Sequence, residues 1–221
     1  MGTLFLIATP IGNLDDVTLR AIAVLNGVDY ILCEDTRVTK VLLDHYKISK
    51  TLISYHHHSD ARKLKEIREL LNNGHNIALV SDAGTPGISD PGNELICYLL
   101  KYNQAIEIVP IPGPSAVIAA LSISGFPTDK FIFMGFPPHK NKRQKFFQEA
   151  ADAKYTVVFY ESGHRIKKCL TELAASLQPN TEIVIGRELT KKFETIYRLK
   201  TQDLATFEID DRGEFVVIIS K

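Results

Sequence analysis

Several polar segments of this chain follow apolar runs that read as strands, and they carry groups able to move a proton or hold an anion. Glu34-Asp35-Thr36-Arg37 sets two carboxylates beside an arginine. That grouping suits general acid–base work or substrate positioning. The structural alternative is that Asp35 or Thr36 caps the following helix and Arg37 pairs with the cap. Phe159-Tyr160-Glu161-Ser162-Gly163-His164-Arg165 and Gly186-Arg187-Glu188-Leu189-Thr190-Lys191-Lys192 each place a Glu and an Arg at a strand end. A structural ion pair explains one such motif; charged loops at several strand ends fit a ligand site at the carboxyl edge of a sheet better. Tyr55-His56-His57-His58 ends another strand. Successive residues of an extended chain point in alternating directions, so three adjacent histidines do not converge on one metal, and no metal site is expected. They read as surface residues, with His56 and His58 on one side of a cleft as the functional option.

The richest segment is Ser81-Asp82-Ala83-Gly84-Thr85-Pro86-Gly87-Ile88-Ser89-Asp90-Pro91-Gly92, directly after the apolar run Ile77–Val80. Glycine lets a backbone approach a ligand closely, and proline fixes loop shape. An ordinary connection needs only about 2–6 residues. A second loop, Thr9-Pro10-Ile11-Gly12-Asn13-Leu14, lies between the first strand and the first helix, where a dinucleotide fold would carry G-x-G-x-x-G. That fingerprint and a Walker loop are both missing from the sequence. Asn13 or Asp15 is the natural cap there.

Strands must hold these loops. Leu4–Ala8, Val28–Cys33, Thr51–Tyr55, Ile77–Val80 and Ile106–Val109 read as strands. Between them lie helical patterns at Asp16–Leu25, Thr36–Tyr46 and Gly92–Tyr102, and one capped by Ser59, with Leu64, Ile67, Leu70 and Leu71 on one face and a stop at Gly74. This βα series predicts a mainly parallel sheet covered by helices. Pro110-Ile111-Pro112-Gly113-Pro114 interrupts it, giving domains at 1–112 and 113–221. The second half predicts helices at Ser115–Ser124, about Asn141 to Ala151, and Arg165–Leu177. Its strands are Phe131–Met134, Tyr155–Tyr160, Glu182–Gly186, Thr195–Leu199 and Phe215–Ile219, with only Asp203–Phe207 left as a crossover between the last two. A mixed sheet follows, so the fold class is α/β with two domains.

Composition narrows the function. No apolar run approaches the ~20 residues of a membrane span, and the N-terminus lacks a basic leader. Three scattered cysteines, Cys33, Cys97 and Cys169, fit reduced thiols in a cytoplasmic protein. The net charge is zero, yet residues 1–112 hold 10 basic and 13 acidic side chains and residues 113–221 hold 16 and 13. Lys140, Lys142, Arg143 and Lys145 form one basic cluster and Arg165, Lys167 and Lys168 another. These are solvated helix faces or contacts to a polyanion such as RNA.

Taken in order, Thr9–Leu14, Glu34–Arg37 with Leu42-Leu43 and His45, Ser81–Gly92, Pro112–Ala116, Gly135-Phe136 with Pro138, Phe159–Arg165 and Arg187–Thr190 resemble the tetrapyrrole methylase superfamily. Within it they are most similar to the bacterial small-subunit ribosomal RNA 2′-O-ribose methyltransferases. The resemblance spans almost the whole chain. It implies S-adenosylmethionine as methyl donor, bound in a cleft between two α/β domains, a homodimer, and a cytidine ribose of 16S ribosomal RNA in the small subunit as substrate. It assigns Pro10, Gly12, Asp82, Ala83, Gly84, Thr85, Gly113, Pro114, Ser115, Ala116 and Tyr160 to the cofactor. Glu34, Asp35, Arg37, Glu161, His164, Arg165, Arg187, Glu188 and Lys191 fall on the substrate side, and Lys140, Lys142, Arg143 and Lys145 on RNA. The rivals are a small-molecule tetrapyrrole methylase and an RNA-binding assembly factor without chemistry. Two departures from the family stand out. Gly163 replaces a usual proline or small polar residue and is expected to loosen the Glu161–Arg165 turn. The sequence also ends at Lys221, where many members continue, so RNA affinity is expected from the core, a partner or the dimer.

Overall fold

The alternating pattern of the first half becomes a five-stranded parallel sheet of β1 (Leu4–Ile7), β2 (Tyr30–Cys33), β3 (Thr51–Ser54), β4 (Ile77–Leu79) and β5 (Ile108–Ile111), in the order β3-β2-β4-β1-β5. This description comes from a computed structural model of the chain, which describes residues 1–57 and 59–221. The chain divides into two compact units, 1–115 and 116–221.

In the first unit the inner strands β2, β4 and β1 are largely buried, which is why they are almost wholly apolar, while the edge strands β3 and β5 are more exposed. Leu4, Leu32 and Leu79 pack with α3 (Ala61–Asn72) and α4 (Asn93–Tyr102) on one face. Ile7, Ile31, Cys33 and Ala78 pack with α1 (Leu19–Gly27) and α2 (Thr36–His45) on the other. Leu4 lies opposite both Ile77 and Ile108, so β1 runs through the middle of the sheet and its loop emerges between those of β4 and β5. Pro110 does not break β5, contrary to the sequence expectation. It pairs with Leu6 from an edge strand, the one sheet position where a residue without an N–H is tolerated.

Local capping moves two helix starts. The stretch expected as one helix from Asp16 is a single 3-10 turn, Leu14–Asp16, capped by Asn13, followed by α1 capped by Thr18. Asp60, not Ser59, caps α3, accepting from the Arg62 and Lys63 backbone N–H groups. The Ser59 hydroxyl instead accepts from the His56 backbone. His58 lies outside the described residues, so the pairing considered for it with His56 has no structural description.

The second unit holds the expected mixed sheet. It consists of β6 (Phe131–Phe133), β7 (Thr156–Ser162), β8 (Glu182–Arg187), β9 (Thr195–Lys200) and β10 (Glu214–Ile219), in the order β6-β7-β10-β8-β9, with only β6 and β7 parallel. α5 (Ala116–Ser122) packs on β7 and β10. On the other face α6 (Arg143–Asp152) and α7 (Gly163–Ser176) bury Phe147, Ile166, Cys169 and Leu173 against Phe159, Phe215 and Val217. Each such side chain contributes about 1.5–3 kcal/mol through burial. A 3-10 turn at Thr201–Asp203 stands where a crossover helix to Phe207 was read. Among the described residues no helix is long and apolar enough to cross a membrane, and all three cysteines are free.

Gly163 opens α7, and the structure corrects its expected loosening effect. A β-carbon there would overlap the Asp211 carbonyl and come within 2.9 Å of the Gly213 carbonyl. Glycine therefore lets the 211–213 loop close directly onto the helix start. Gly163→Ala must push that loop away and should cost about 1–3 kcal/mol, as overpacking does. Thermal unfolding should show a fall of several degrees; an unchanged midpoint would mean the loop yields freely.

Candidate active site

Three loops at the carboxyl edge of the first sheet are tied together by their own backbones. After β1, Thr9 N–H donates to the Gly84 carbonyl at 2.9 Å and Gly84 N–H returns the bond at 3.0 Å. The Thr9 hydroxyl donates to the Ser81 carbonyl at 3.2 Å. The Thr85 hydroxyl reaches the Pro114 carbonyl at 3.5 Å, bringing in the loop after β5. Gly84 has a φ of +77°, a conformation side chains rarely adopt. Gly113 lies so close to Ala8 that a β-carbon would be 3.1 Å from the alanine methyl. Thr9 and Pro10 are buried, while Gly12, Asp82, Ala83, Pro112 and Gly113 are exposed. Thr85, Pro114 and Ser115 are half-buried. Of the other two residues assigned to a cofactor, Ala116 opens α5 and Tyr160 lies in β7, both in the second unit.

The loop after β2 adds carboxylates. Asp35 caps α2, accepting from Arg37 N–H at 2.8 Å, and its side chain also holds the Arg37 guanidinium at 2.6 Å. The structural reading of this motif is thus realised, without consuming the rest of the loop. Asp35 N–H donates to the Asp82 carboxylate at 3.1 Å, joining the β2 loop to the β4 loop. Hydrogen bonds from the exposed Arg37 hold Asp35 down at about 2. Its neighbours behave oppositely. Burial, then the charge of Asp82, pushes Glu34 above the ordinary carboxylate value. Burial also raises Asp82, with the Asp35 charge adding to it against the Asp35 N–H. Divergent pKa values among adjoining carboxylates are a mark of functional sites.

Beside them a pocket of about 230 Å³ is lined by Thr9, Pro10, Leu14, Val38, Thr39, Val41, Leu42, Ser81 and Asp82. Val38 and Val41 are 43% and 60% exposed, so their apolar surface faces the opening and not the core. Sequence reading gave none of Val38, Val41 and Leu42 a place in the site, although Leu42 stands among the motif residues. The available signal was an apolar stripe in α2 wider than packing on one sheet requires.

In the second unit the two Glu–Arg motifs resolve into ion-pair networks. The Glu161 carboxylate is fully buried between Arg143 at 3.1 Å and Arg165 at 2.8 Å. Arg143, itself only 4% exposed, also binds Glu172 at 2.6 Å. Arg143, expected on the RNA side, and Glu161, expected on the substrate side, are thus both buried in ion pairs. Buried charges of this kind must be paired, and these are. Arg187 is likewise buried, donating to Asp210 at 2.9 Å and to the carbonyls of Arg212 and Phe193, so it too is a structural charge. Lys191 bridges Glu188 and Glu214 at 2.9 and 2.8 Å. Burial opposes ionisation of Glu188, yet the Lys191 bond and the Glu214 N–H outweigh it and hold its pKa below normal. Glu188 and Thr190 both have positive φ, 51° and 65°. For a β-branched threonine that is local strain. Glu172, Asp210 and Glu214 were not foreseen, because partners more than twenty residues apart leave no local signature. His164, Lys140, Lys142 and Lys145 are exposed.

With this geometry in hand, comparison with known proteins is specific. The model of the family described as tetrapyrrole (corrin/porphyrin) methylases matches residues 3–205. A protein named ribosomal RNA small subunit methyltransferase I from Synechocystis sp. is 46% identical, covering 100% of this chain and 79% of its own length. The protein of the same name from Thermotoga maritima is 41% identical, with 100% of this chain and 99% of that protein covered. Among solved structures, the methyltransferase CobJ superposes with a TM-score of 0.74 at 20% identity, covering 100% of this chain and 95% of that one. Cobalt precorrin-4 methyltransferase CbiF gives 0.72 at 19%, covering 99% and 94%. These two establish the fold.

The carboxylate cluster makes a prediction of definite sign. Asp82→Asn removes the like charge that helps raise Glu34, so the Glu34 titration midpoint should fall. Carbon-detected NMR of the glutamate carboxyls would follow it. A raised folded-state pKa means that Glu34 favours folding below its unfolded value and loses that contribution as pH rises through the folded one. The variant should therefore lose less stability than the parent over the same rise. An unmoved Glu34 midpoint would show the two carboxylates to be independent.

Proposed function

The chain belongs to the tetrapyrrole methylase family, and on that premise we propose that it is an S-adenosylmethionine-dependent methyltransferase of small-subunit ribosomal RNA, acting on a cytidine ribose 2′-hydroxyl of 16S RNA. The observation that carries this reading is the full-length similarity, at 41–46% identity, to relatives named ribosomal RNA small subunit methyltransferase I. Such an enzyme works in the cytoplasm, and the family resemblance adds a homodimer.

The tied loops of the first unit suit the proposed cofactor. Asp82, Ala83, Pro112 and Gly113 are exposed, and neither Gly84 nor Gly113 carries a side chain to crowd an approaching ligand. Backbone amides and carbonyls held this rigidly can read a nucleoside and an amino-acid group together without a phosphate fingerprint. S-adenosylmethionine supplies an electrophilic methyl group. The chain's own task is then to hold a ribose hydroxyl in line and to accept its proton as the new oxygen–carbon bond forms. Glu34 is the preferred acceptor: its raised pKa brings it nearer the operating pH than an ordinary carboxylate, and Asp82 lies beside it. Arg37, exposed and already fixed by Asp35, is placed to neutralise a phosphate or a developing alkoxide.

Two measurements test this. In titration calorimetry S-adenosylmethionine and S-adenosylhomocysteine should bind, while NAD and ATP should not. Gly84→Val should weaken binding at least about tenfold, because the +77° φ is strained for a branched residue. Small ribosomal subunits lacking the modification should accept labelled methyl groups at one nucleotide, whose 3′ linkage then resists alkali. Methylation of a tetrapyrrole instead of RNA, methyl transfer to a base, or no transfer with bound cofactor would each overturn the reading.

A further inference from the structure

The loop between β6 and α6 keeps an aromatic ring at the surface, and two arginines, one buried and one half-buried, hold it there. Phe136 is 50% exposed. Its ring meets Tyr160 at 5.3 Å between centroids, and Tyr160 in turn meets Phe133 edge-on at 5.0 Å. Gly135 accepts a backbone bond from Tyr160 at 2.9 Å. Beyond Phe136, Arg165 donates to the Pro137 carbonyl at 3.0 Å and Arg143 to the Pro138 carbonyl at 3.3 Å. Both arginines are held by the same buried carboxylate, Glu161. The loop closes through Lys142 in the left-handed conformation, φ 67°, immediately before α6. Two prolines, two guanidinium clamps and a strained lysine leave this segment little freedom. Lys140 and Lys142, exposed within six residues of Phe136, have no carboxylate partner among the described residues.

From this we infer that Phe136 is a stacking platform for one unpaired base of the RNA substrate, with Lys140 and Lys142 taking the adjoining phosphates. The inference rests on the proposed RNA reading and adds a substrate-positioning residue to it. A rigid exposed ring with unpaired cations a few residues along the same loop is the combination that single-stranded nucleic acid requires, since a base offers a π-face and its backbone a charge. A duplex does not fit it, because its base faces are covered by stacking. A second copy of this chain fits less well, because burying two lysines without carboxylate partners would cost desolvation.

The test uses the full chain with a fluorescein-labelled single-stranded RNA dodecamer, its duplex form and isolated small subunits. Phe136→Ala should weaken anisotropy-measured binding of the single strand about five- to a hundredfold, leaving the slope of log affinity against log salt unchanged. Phe136→Tyr should restore binding to within about twofold. Lys140→Ala with Lys142→Ala should instead flatten that slope, by roughly 0.7 for each phosphate no longer neutralised. Cofactor affinity should be the same in all of them. Phe136→Ala with a native melting curve and undiminished single-strand binding would overturn the stacking role even if the parent methylates subunits normally, and so would a loss confined to cofactor affinity. Parent protein that methylates no RNA at all would remove the functional reading, and this inference with it.

Discussion

The reciprocal backbone pairing of Thr9 with Gly84 is the interaction on which the first unit's site depends. β1 lies between β4 and β5, so their loops emerge side by side whatever the loop sequences are. Proximity alone would leave three flexible segments. Two short backbone bonds, with the Thr9 hydroxyl on Ser81 and the Thr85 hydroxyl on Pro114, turn them into one surface. The pairing needs Gly84 at positive φ, and it needs Ala8 and Gly113 small enough for the strand ends to meet. Small residues collect here because a larger side chain would hold the strand ends apart.

The second unit solves a different problem with charge. Glu161 is buried with two arginines, an arrangement whose desolvation cost rivals its Coulombic gain. Hydrophobic residues of similar volume would hold β7 to α6 and α7 as well. They would not donate to the carbonyls of Pro137 and Pro138, and those two bonds fix the loop that follows β6. The network is better understood as a positional device than as a source of stability. Arg187 acts in the same manner on the 210–212 loop and on Phe193.

Much of this was legible in the sequence and some was not, for identifiable reasons. Parallel and mixed sheets followed from the spacing of apolar runs, because strands buried on two faces cannot hide their composition. The loops at the strand ends were visible through their glycine and proline content. The roles of charged residues were not. Asp35–Arg37 is local, and both of its readings could be written down in advance. Arg143 looked like one more lysine-cluster residue because its partners, Glu161 and Glu172, lie 18 and 29 positions away. Gly163 looked like slack until the Asp211 carbonyl was found against it. Pro110 looked like a boundary, though an edge strand tolerates it.

The carboxylates at the end of β2 and β4 remain the least economical feature of the fold. Glu34, Asp35 and Asp82 lie within mutual influence, yet Arg37 pairs directly with Asp35 and only partly offsets the rise of Asp82. Burial raises both of the others, so the folded state disfavours their ionised forms, a standing cost at neutral pH. Nothing in the packing of the sheet requires it, since α2 would be capped as well by Asp35 alone. Such costs persist where a group's proton affinity is itself useful. Val38, Val41 and Leu42 add apolar surface to the pocket that Asp82 also lines. Polar residues at those three positions would hydrate the pocket and lessen the desolvation that raises Asp82.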